Sequence, residues 1–281
     1  MTRWFRRLGW RHLVGLLAVA FSLFPIMFVL SAALNPLGTL SSSELFPTGF
    51  SGENFARLFG DTAFPRWFVN SLLVAGLAAA VSVLLSALAA YAFSRMRFRG
   101  RRVGLVSLML IQMFPQFLAI VAIFLIFSTI TDLWPSIGFN TPWGLILLYL
   151  GVALGVNTWL IKGFFDTVPK ELDESATMDG ATHAQIFFRI ILPLAAPILA
   201  ISGLLSFIGT INEFLIANVF LTDLESKTLA VGMYGLIAGE RDNNFGIFCA
   251  GTLLTAIPTV VVFQFLQRYI VSGLTAGAVK G

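Results

Sequence analysis

Residues 171–193 read ELDESATMDGATHAQIFFRIILP and form a polar segment between two long apolar stretches. The segment contains Glu174-Ser175-Ala176, then Gly180 after three residues, and then Ile190-x-Leu192-Pro193 after nine more. A polar segment of this length, bounded on both sides by apolar sequence, indicates an ordered docking surface for another protein rather than a simple connection.

The composition of the whole chain defines the kind of protein that contains this segment. Of the 281 residues, 57% are hydrophobic, only 11% are charged, and 28 are Phe. Soluble domains average about 25% charged residues. The chain therefore lacks the charge to cover a water-exposed surface, and it is predicted to be an integral membrane protein.

Apolar runs long enough to cross a bilayer, about 17 to 25 residues, recur along the chain. Such segments must be helical because lipid offers no partner for an unpaired backbone N–H or C=O group. The sequence therefore predicts an all-α protein with six transmembrane helices, at 13–34, 68–93, 103–127, 143–163, 191–216 and 247–271. Because proline interrupts the helical hydrogen-bond ladder, kinks are expected at Pro25, Pro115, Pro197 and Pro258.

The Lys and Arg residues set the orientation of these helices. With six spans, fourteen of the 18 basic residues lie on one side of the membrane. Positive charge is retained in the cytoplasm, so both termini and the 164–190 loop are predicted to be cytoplasmic. The net charge of +4 then reflects membrane topology and not a nucleic-acid-binding surface.

Neither the N-terminal segment nor the cysteine and histidine residues indicate a further functional site. The first apolar run continues well past Ala18-x-Ala20, so it is predicted to be an uncleaved signal anchor, with a twin-arginine export signal at Arg6-Arg7 as the alternative. Cys249 is the only cysteine, which excludes an intrachain disulfide. His12 and His183 are isolated in the sequence, and we predict neither a metal nor a cofactor.

The polar segment itself has the signals of a short helix followed by a turn. Pro169 suits a first helical turn, where its missing N–H is not needed. The acidic residues that follow are favoured near the positive end of a helix. Gly180 is a plausible helix stop in the left-handed conformation.

A second helix is predicted directly after this turn. Thr182 and Gln185 have the spacing of a capping box, in which each side chain bonds the backbone N–H of the other residue. Pro193 should kink this helix where it enters the membrane. The segment is thus predicted to be a rigid helix–turn–helix joined to the fifth span, and the alternative is an interfacial hairpin without a partner.

Asn212 and Glu213 are the candidate pore or gate residues. They lie late in the fifth predicted span, where exposing an ionisable side chain to lipid costs roughly 2.5 kcal/mol or more. The alternative is that Glu213 lies at the membrane interface, where this cost is small. The other polar residues in or near the spans are explained by interhelical hydrogen bonds: Asn70, Gln112, Gln116 and Asn157.

At this point the residues resemble a known family. The 171–193 segment resembles the EAA loop of the permease subunits of ATP-binding-cassette importers, with Ser175 in place of the usual first alanine. Three further segments are similar to MalG-type permeases of maltose and maltodextrin importers: 206–211 (SFIGTI), 228–233 (TLAVGM) and 273–281 (GLTAGAVKG). The similarity covers most of the chain and is densest from residue 165 onward.

The resemblance implies a six-helix permease of the type I importer fold that works inside a larger assembly. The expected partners are a MalF-like second permease, two MalK-like ATPase subunits, a MalE-like extracytoplasmic sugar-binding protein and membrane lipid, without nucleic acid. It implies one transmembrane domain over 1–281, with a core at 68–272, the EAA coupling loop at 164–193 and a cytoplasmic tail at 273–281.

The resemblance also assigns roles to individual residues. Glu174 matches the acidic position that pairs with the ATPase, and Gly180 matches the turn. The full set of expected coupling residues is Glu174, Ser175, Ala176, Gly180, Leu192 and Pro193. Tail residues Thr275, Gly277 and Lys280 are expected to reach between the ATPase subunits, and the alternative is a frayed terminus.

Competing functions are separated by what the sequence lacks. No G-x-x-x-x-G-K-[ST] phosphate-binding loop occurs, so this chain must obtain energy from a partner or an ion gradient. An ion-coupled secondary transporter would show paired charges and repeated broken helices, whereas Glu213 stands alone. A membrane enzyme would need convergent His, Asp or Cys residues. The expected function is a permease for maltose or maltodextrin, with trehalose or another disaccharide as the alternative.

Overall fold

A computed structural model describes residues 9–47 and 49–278. Over these residues the secondary structure is helical, without β-strands. The α-helices are α1 (Trp10–Leu34), α2 (Glu53–Gly60), α3 (Phe64–Arg95), α4 (Arg101–Gln112), α5 (Gln116–Leu133), α6 (Pro142–Phe165), α7 (Glu171–Met178), α8 (His183–Ile186), α9 (Leu192–Leu194), α10 (Ala196–Ile211), α11 (Leu215–Phe220), α12 (Leu229–Ala238) and α13 (Phe245–Ala278).

The apolar helices agree with the predicted spans when two bent pairs are included. In the described chain, α1, α3, α6 and the 245–270 part of α13 are each long and apolar enough to cross a membrane. Two further spans result if each bent pair counts as one, namely α4 with α5, bent by 102°, and α8–α9 with α10, bent by 77°. The six-span prediction corresponds to these four helices and two pairs.

The prolines act differently in different helices. The third predicted span is interrupted between Gln112 and Gln116, where Pro115 is the residue before α5. The fifth bends between Leu194 and Ala196, next to Pro193 and Pro197. In contrast, α1 and α13 continue through Pro25 and Pro258 without a break. Proline therefore interrupts the described helices in the third and fifth spans only.

The chain divides into two compact units. The first contains the described residues up to Pro65 together with Gly232–Ile257. Its two loop segments are joined by backbone hydrogen bonds, from Gly246 N–H to Gly38 O (2.8 Å) and from Leu40 N–H to Asp242 O (3.1 Å). The buried Asn54 amide donates to two carbonyls at the end of α1, Ala33 O and Asn35 O, at 3.0 and 2.9 Å.

The second unit contains Arg66–Val231 and the residues from Pro258 onward. Among its described residues, buried apolar side chains form several groups. One of these lies at the polar segment and brings α7, α8 and the turn after α8 together with α3 and α6: Ala87, Ala90, Tyr91, Ile161, Phe165, Ala176, Ile186, Phe187, Ile191 and Ala195. This cluster positions the candidate site. The prediction of one domain over 1–281 stays a prediction.

Candidate functional site

The first helix of the polar segment is α7, Glu171–Met178. Glu171, Asp173 and Glu174 occupy its first turn, where the helix dipole favours negative charge. Pro169 lies just before the helix and not in its first turn as expected, because Lys170 is the N-cap residue. The helix thus begins at Glu171, two residues after Pro169.

Gly180 ends α7 in the predicted left-handed conformation, with a φ of +82°. Ala181 N–H donates to Ala176 O and Gly180 N–H donates to Thr177 O, both at 3.0 Å. These two bonds define a Schellman motif, which satisfies the last carbonyl groups of a helix. Among the described residues, no heavy atom lies within 4 Å of where a Gly180 Cβ would stand. The need for glycine is therefore conformational and not steric.

The predicted capping box is present at the start of α8. Thr182 Oγ1 accepts from Gln185 N–H at 3.3 Å, and Gln185 Oε1 accepts from Thr182 N–H at 2.7 Å. The next residues, Phe187–Ile191, form a π-helical turn before the short α9. The predicted kink follows as the 77° bend into α10. The helix–turn–helix prediction is confirmed, with Pro193 in α9 and the bend directly after it.

The coupling residues expected from the sequence do not share one environment. Glu174 and Ser175 are exposed, whereas Ala176 is 8% exposed and packs in the apolar cluster of α3, α6 and α8. Leu192 is half-buried against the same cluster and Pro193 is exposed. In the Glu-Ser-Ala triplet, the first two residues thus face solvent, and the third packs against the other helices of this chain.

A largely buried ion pair, which the sequence did not suggest, joins α7 to the end of α3. Arg95, the last residue of α3, has its Nε 2.6 Å from Asp173 Oδ2 of α7. Its Nη2 donates to Val168 O at 2.8 Å, in the segment that leads into α7. From the sequence, Arg95 counted only as one of the positive charges that set topology. No sequence signal linked it with Asp173, since 77 residues separate them.

A second set of charges lies beside this pair. Asp166, immediately after α6, accepts from Ser94 Oγ at 2.7 Å and from Lys162 Nζ at 2.5 Å. Partial burial by itself raises the pKa of the Asp166 carboxyl, but the hydrogen bonds from Lys162 and Ser94 outweigh it and lower that pKa below its ordinary value. Asp166 therefore stays ionised, and consecutive residues Ser94 and Arg95 both bind the 166–173 segment.

The pore candidates lie where α10 ends and α11 begins. Glu213 Oε1 and Oε2 accept from Ile216 N–H and Ala217 N–H at 2.8 and 3.0 Å, so this side chain caps the first turn of α11. Tyr149 Oη donates to Glu213 Oε2 at 2.5 Å. Asn212 is exposed and bonds back to Ile208 O at 2.8 Å. Glu213 thus has a structural role that the sequence did not reveal.

A cavity of about 360 Å³ opens next to Glu213. Its walls come from α3, α4, α6 and α10, and its polar lining residues are Ser82, Gln112, Tyr149, Asn157, Ser206, Thr210 and Glu213. Asn157 bonds Ser202 and Ser206 of α10, each at 2.8 Å, as expected for interhelical bonds. Gln112 donates to Val152 O at 2.8 Å, also between helices. Asn70 instead binds loop carbonyls, of Glu225 and Lys227.

The expected tail contacts fall at the edge of the described chain. The backbone of Thr275 and Gly277 continues the last helix, which runs to Ala278. Lys280 lies outside the described residues. The expected role of Thr275, Gly277 and Lys280 stays a prediction.

Comparison with known proteins decides the kind of protein that contains this site. Residues 82–275 match the family model described as binding-protein-dependent transport system inner membrane component. The chain belongs to this family. The match includes α7, Gly180, the capping box and Glu213, so the helix–turn–helix lies inside the region that defines the family.

Curated relatives extend the similarity over nearly the whole chain. The galactooligosaccharides transport system permease protein GanQ of Bacillus subtilis is 37% identical, over 98% of this chain and 96% of that protein. The maltose/maltodextrin transport system permease protein MalG of Escherichia coli K12 is 40% identical, also over 98% and 96%. The chain is therefore a multi-pass bacterial inner-membrane permease and not an enzyme.

A solved structure supports the fold. One chain of a bacterial ABC transporter involved in the import of the acidic polysaccharide alginate aligns with a TM-score of 0.76 and 23% identity. The alignment covers 94% of this chain and 97% of that one. The helices thus have the arrangement of an ATP-binding-cassette importer permease. The family description itself refers to binding-protein-dependent transport.

Proposed function

We propose that this chain is one permease subunit of an ATP-driven oligosaccharide importer and forms half of its pore, with maltose and maltodextrin as the substrate class. The substrate proposal is supported by 40% identity to MalG over 98% of the chain. Galacto-oligosaccharides are the second candidate, because GanQ is 37% identical over an equal share. Trehalose or another disaccharide is the remaining alternative.

In this proposal, the ATPase subunits act on the permease through α7. The observation that supports it is the exposed Glu174 on a helix fixed at both ends, by the Arg95–Asp173 ion pair at its start and the Schellman turn at Gly180. An exposed carboxylate on a rigid helix can pair with a basic group of the ATPase. Closure of the two ATPase subunits would then move α7 and switch the pore between inward- and outward-facing states.

The remaining site residues have supporting roles. Ser175 is exposed and small, so a partner helix can approach closely at that point. Leu192 and Pro193 join the coupling segment to α10 at the 77° bend. Glu213 and Asn212 lie at the end of α10, and Glu213 lines the cavity that would face the sugar. The polar lining offers hydrogen-bonding groups of the kind that sugar hydroxyls require.

Glu174→Ala tests the coupling proposal in the complete importer reconstituted in proteoliposomes. Removing a charge-assisted contact with the ATPase should lower sugar uptake about tenfold or more, while the assembled complex is recovered in normal amount. The matched control is Asp132→Ala, which removes an exposed carboxylate at the far end of α5. Normal uptake by the Glu174 variant would contradict the role of α7.

The sugar and the energy source are tested with the unmodified complex. Maltose, maltotriose, trehalose and a galacto-oligosaccharide are each added with the binding protein, and ATPase stimulation is measured. Stimulation by maltose and maltotriose above the other two supports the proposal, and preference for the galacto-oligosaccharide favours the second candidate. Uptake that needs no ATP and collapses with an ionophore would overturn the importer assignment.

A further inference from the structure

The acidic residues of α7 face two directions. Glu171 and Glu174 are exposed, whereas the Asp173 side chain is only 17% exposed and Arg95, which faces it, is only 7% exposed. Charges this buried are retained only when they are paired, because a single buried charge without its partner is strongly destabilising. Asp173 is therefore directed into the chain, toward the end of α3, and is not available to the ATPase.

Several contacts join the end of α3 to this segment. Arg95 binds both Asp173 and the carbonyl of Val168. Its neighbour Ser94 binds Asp166, which also binds Lys162 of α6. One helical turn after Asp173, Ala176 lies in the same buried apolar cluster as Ala87, Ala90 and Tyr91 of α3. The ion pair and the apolar contact together fix α7 against α3.

The covalent path from α7 to the fifth span is less direct. Between α7 and α10 the chain passes through the Gly180 turn, the π-helical turn Phe187–Ile191 and a 77° bend. The Gly180 turn and the 77° bend change the direction of the backbone, and the π-helical turn interrupts the regular α-helix. In contrast, Arg95 is the terminal residue of a 32-residue helix that crosses the membrane as one piece. A displacement of α7 would reach this helix directly, through the Arg95–Asp173 ion pair and the apolar cluster that contains Ala176.

We propose that the Arg95–Asp173 ion pair is the positioning contact through which movement of α7 is transmitted to the second transmembrane helix, α3. This inference rests on the proposed coupling role of α7. The Lys162–Asp166–Ser94 contacts hold the segment next to the pair, and Ala176 supplies the packing contact. Breaking the ion pair would leave Glu174 on the surface but would remove the charged contact between α7 and α3, so that α3 follows the movement of α7 less closely.

The test uses the complete importer in proteoliposomes and measures sugar transported per ATP hydrolysed. Arg95→Asp and Asp173→Arg should each lower this ratio about tenfold, within the range by which residues that couple sites act. ATPase activity should persist, because α7 still meets the ATPase. The double variant, R95D with D173R, restores an ion pair of reversed polarity and should recover the ratio to within about threefold of the unmodified protein.

Two further variants make the result specific. Asp173→Asn removes the charge but keeps the size of the side chain, so it can be tested even if a reversed charge prevents assembly of the complex. This variant should also lower the ratio of sugar transported to ATP hydrolysed. Arg97→Asp introduces the same charge change at an exposed position two residues after Arg95 and should leave the ratio unchanged. A merely structural role of the pair would change the amount of assembled complex and not the ratio per assembled complex.

The outcomes separate this inference from the proposed function. If the unmodified complex shows no sugar-stimulated ATPase activity, the proposed function fails. If it does, and if Asp173→Asn and both single reversals transport normally, the ion pair does not transmit movement. A double variant no better than either single variant, or an Arg97→Asp variant as impaired as Arg95→Asp, would likewise overturn the inference.

Discussion

The coupling segment at residues 166–194 and the outer loop at residues 220–229 both lie between longer helices in the second unit, yet different interactions hold them. In the coupling segment, ionised side chains are paired and an alanine packs in an apolar cluster. In the outer loop, neutral side chains from neighbouring helices and turns bind the backbone of the loop, and the Arg66–Glu225 ion pair is exposed to solvent. The name outer loop follows the predicted topology, in which this side of the membrane has few basic residues.

Asn140, in the segment before α6, holds the first residues of the outer loop. Its Oδ1 accepts from the N–H groups of Thr222 (2.7 Å) and Asp223 (3.1 Å), and its own N–H donates to Phe220 O (3.1 Å). Asn140 has a φ of +58°, a conformation that asparagine tolerates better than most residues. The segment before α6 thereby fixes the start of the loop.

Helix α3 fixes the remainder of the outer loop. Trp67 Nε1 donates to Leu224 O at 2.7 Å, and Ser71 Oγ accepts from Leu229 N–H at 2.7 Å. Both of these bonds use main-chain atoms of the loop. The coupling segment is the opposite case, because its own side chains determine its position. We therefore expect charge substitutions to matter in the coupling segment and backbone-binding residues to matter in the outer loop.

Among the variants that test this comparison of the two regions, Gly180→Val should have the largest effect. A non-glycine residue in the left-handed conformation costs roughly 1–2 kcal/mol, and a β-branched side chain should be at or above the upper end. Sugar uptake should fall about tenfold, the equivalent of about 1.4 kcal/mol, because α7 would be misdirected. Uptake and ATPase activity are measured together in proteoliposomes.

Gly180→Asn is the matched control, since asparagine tolerates this conformation and open space surrounds the position. It should keep most of the uptake. Equal loss in the Val and Asn variants would show that the turn does not depend on backbone conformation.

An intermediate effect is expected for Asn140→Gly, which removes contacts with the outer loop. Glycine keeps the positive φ but removes the amide that binds Thr222 and Asp223, with a loss of about 1 kcal/mol of local stability. Amide hydrogen exchange of residues 221–226 should become about fivefold faster, while exchange in 171–178 stays unchanged. Faster exchange in both segments would mean that the two regions are not held independently.

The smallest effect is expected for Thr182→Ala, at the capping box of α8. Loss of an exposed N-cap costs about 0.5 kcal/mol at the lower end of the usual range, so uptake should fall by less than about threefold. Thr182→Ser retains the capping oxygen and should behave as the unmodified protein. A Thr182→Ala effect as large as that of Gly180→Val would show that α8, and not the turn, fixes the direction of α7.

Local signals explain why much of the coupling segment was predictable. A helix stop at Gly180 and the box formed by Thr182 and Gln185 depend on residues within five positions of each other. The apolar segments and their orientation were predictable for a similar reason, since length and charge are properties of each segment alone. Pro169 was the exception, because proline fits both inside and just before a first turn.

Interactions between distant segments were not predictable. Arg95 meets Asp173, and Tyr149 meets Glu213, although the residues of each pair are 78 and 64 positions apart in the sequence. In a membrane chain, hydrophobic periodicity does not reveal such pairs, because positions that face lipid and positions that face other helices are both apolar. The burial of Ala176 was missed for the same reason: its residue type fits a contact with the chain and a contact with a partner equally well.

The sequence by itself thus determined an integral membrane protein of six apolar segments, the side on which the polar segment lies, and the helix–turn–helix within it. Only the tertiary structure decided which face of α7 is held by the chain, through Arg95 and Ala176, and that Glu213 caps α11 while lining a cavity. Caps and turns depend on neighbouring residues, whereas a buried ion pair exists only once two helices have been brought together.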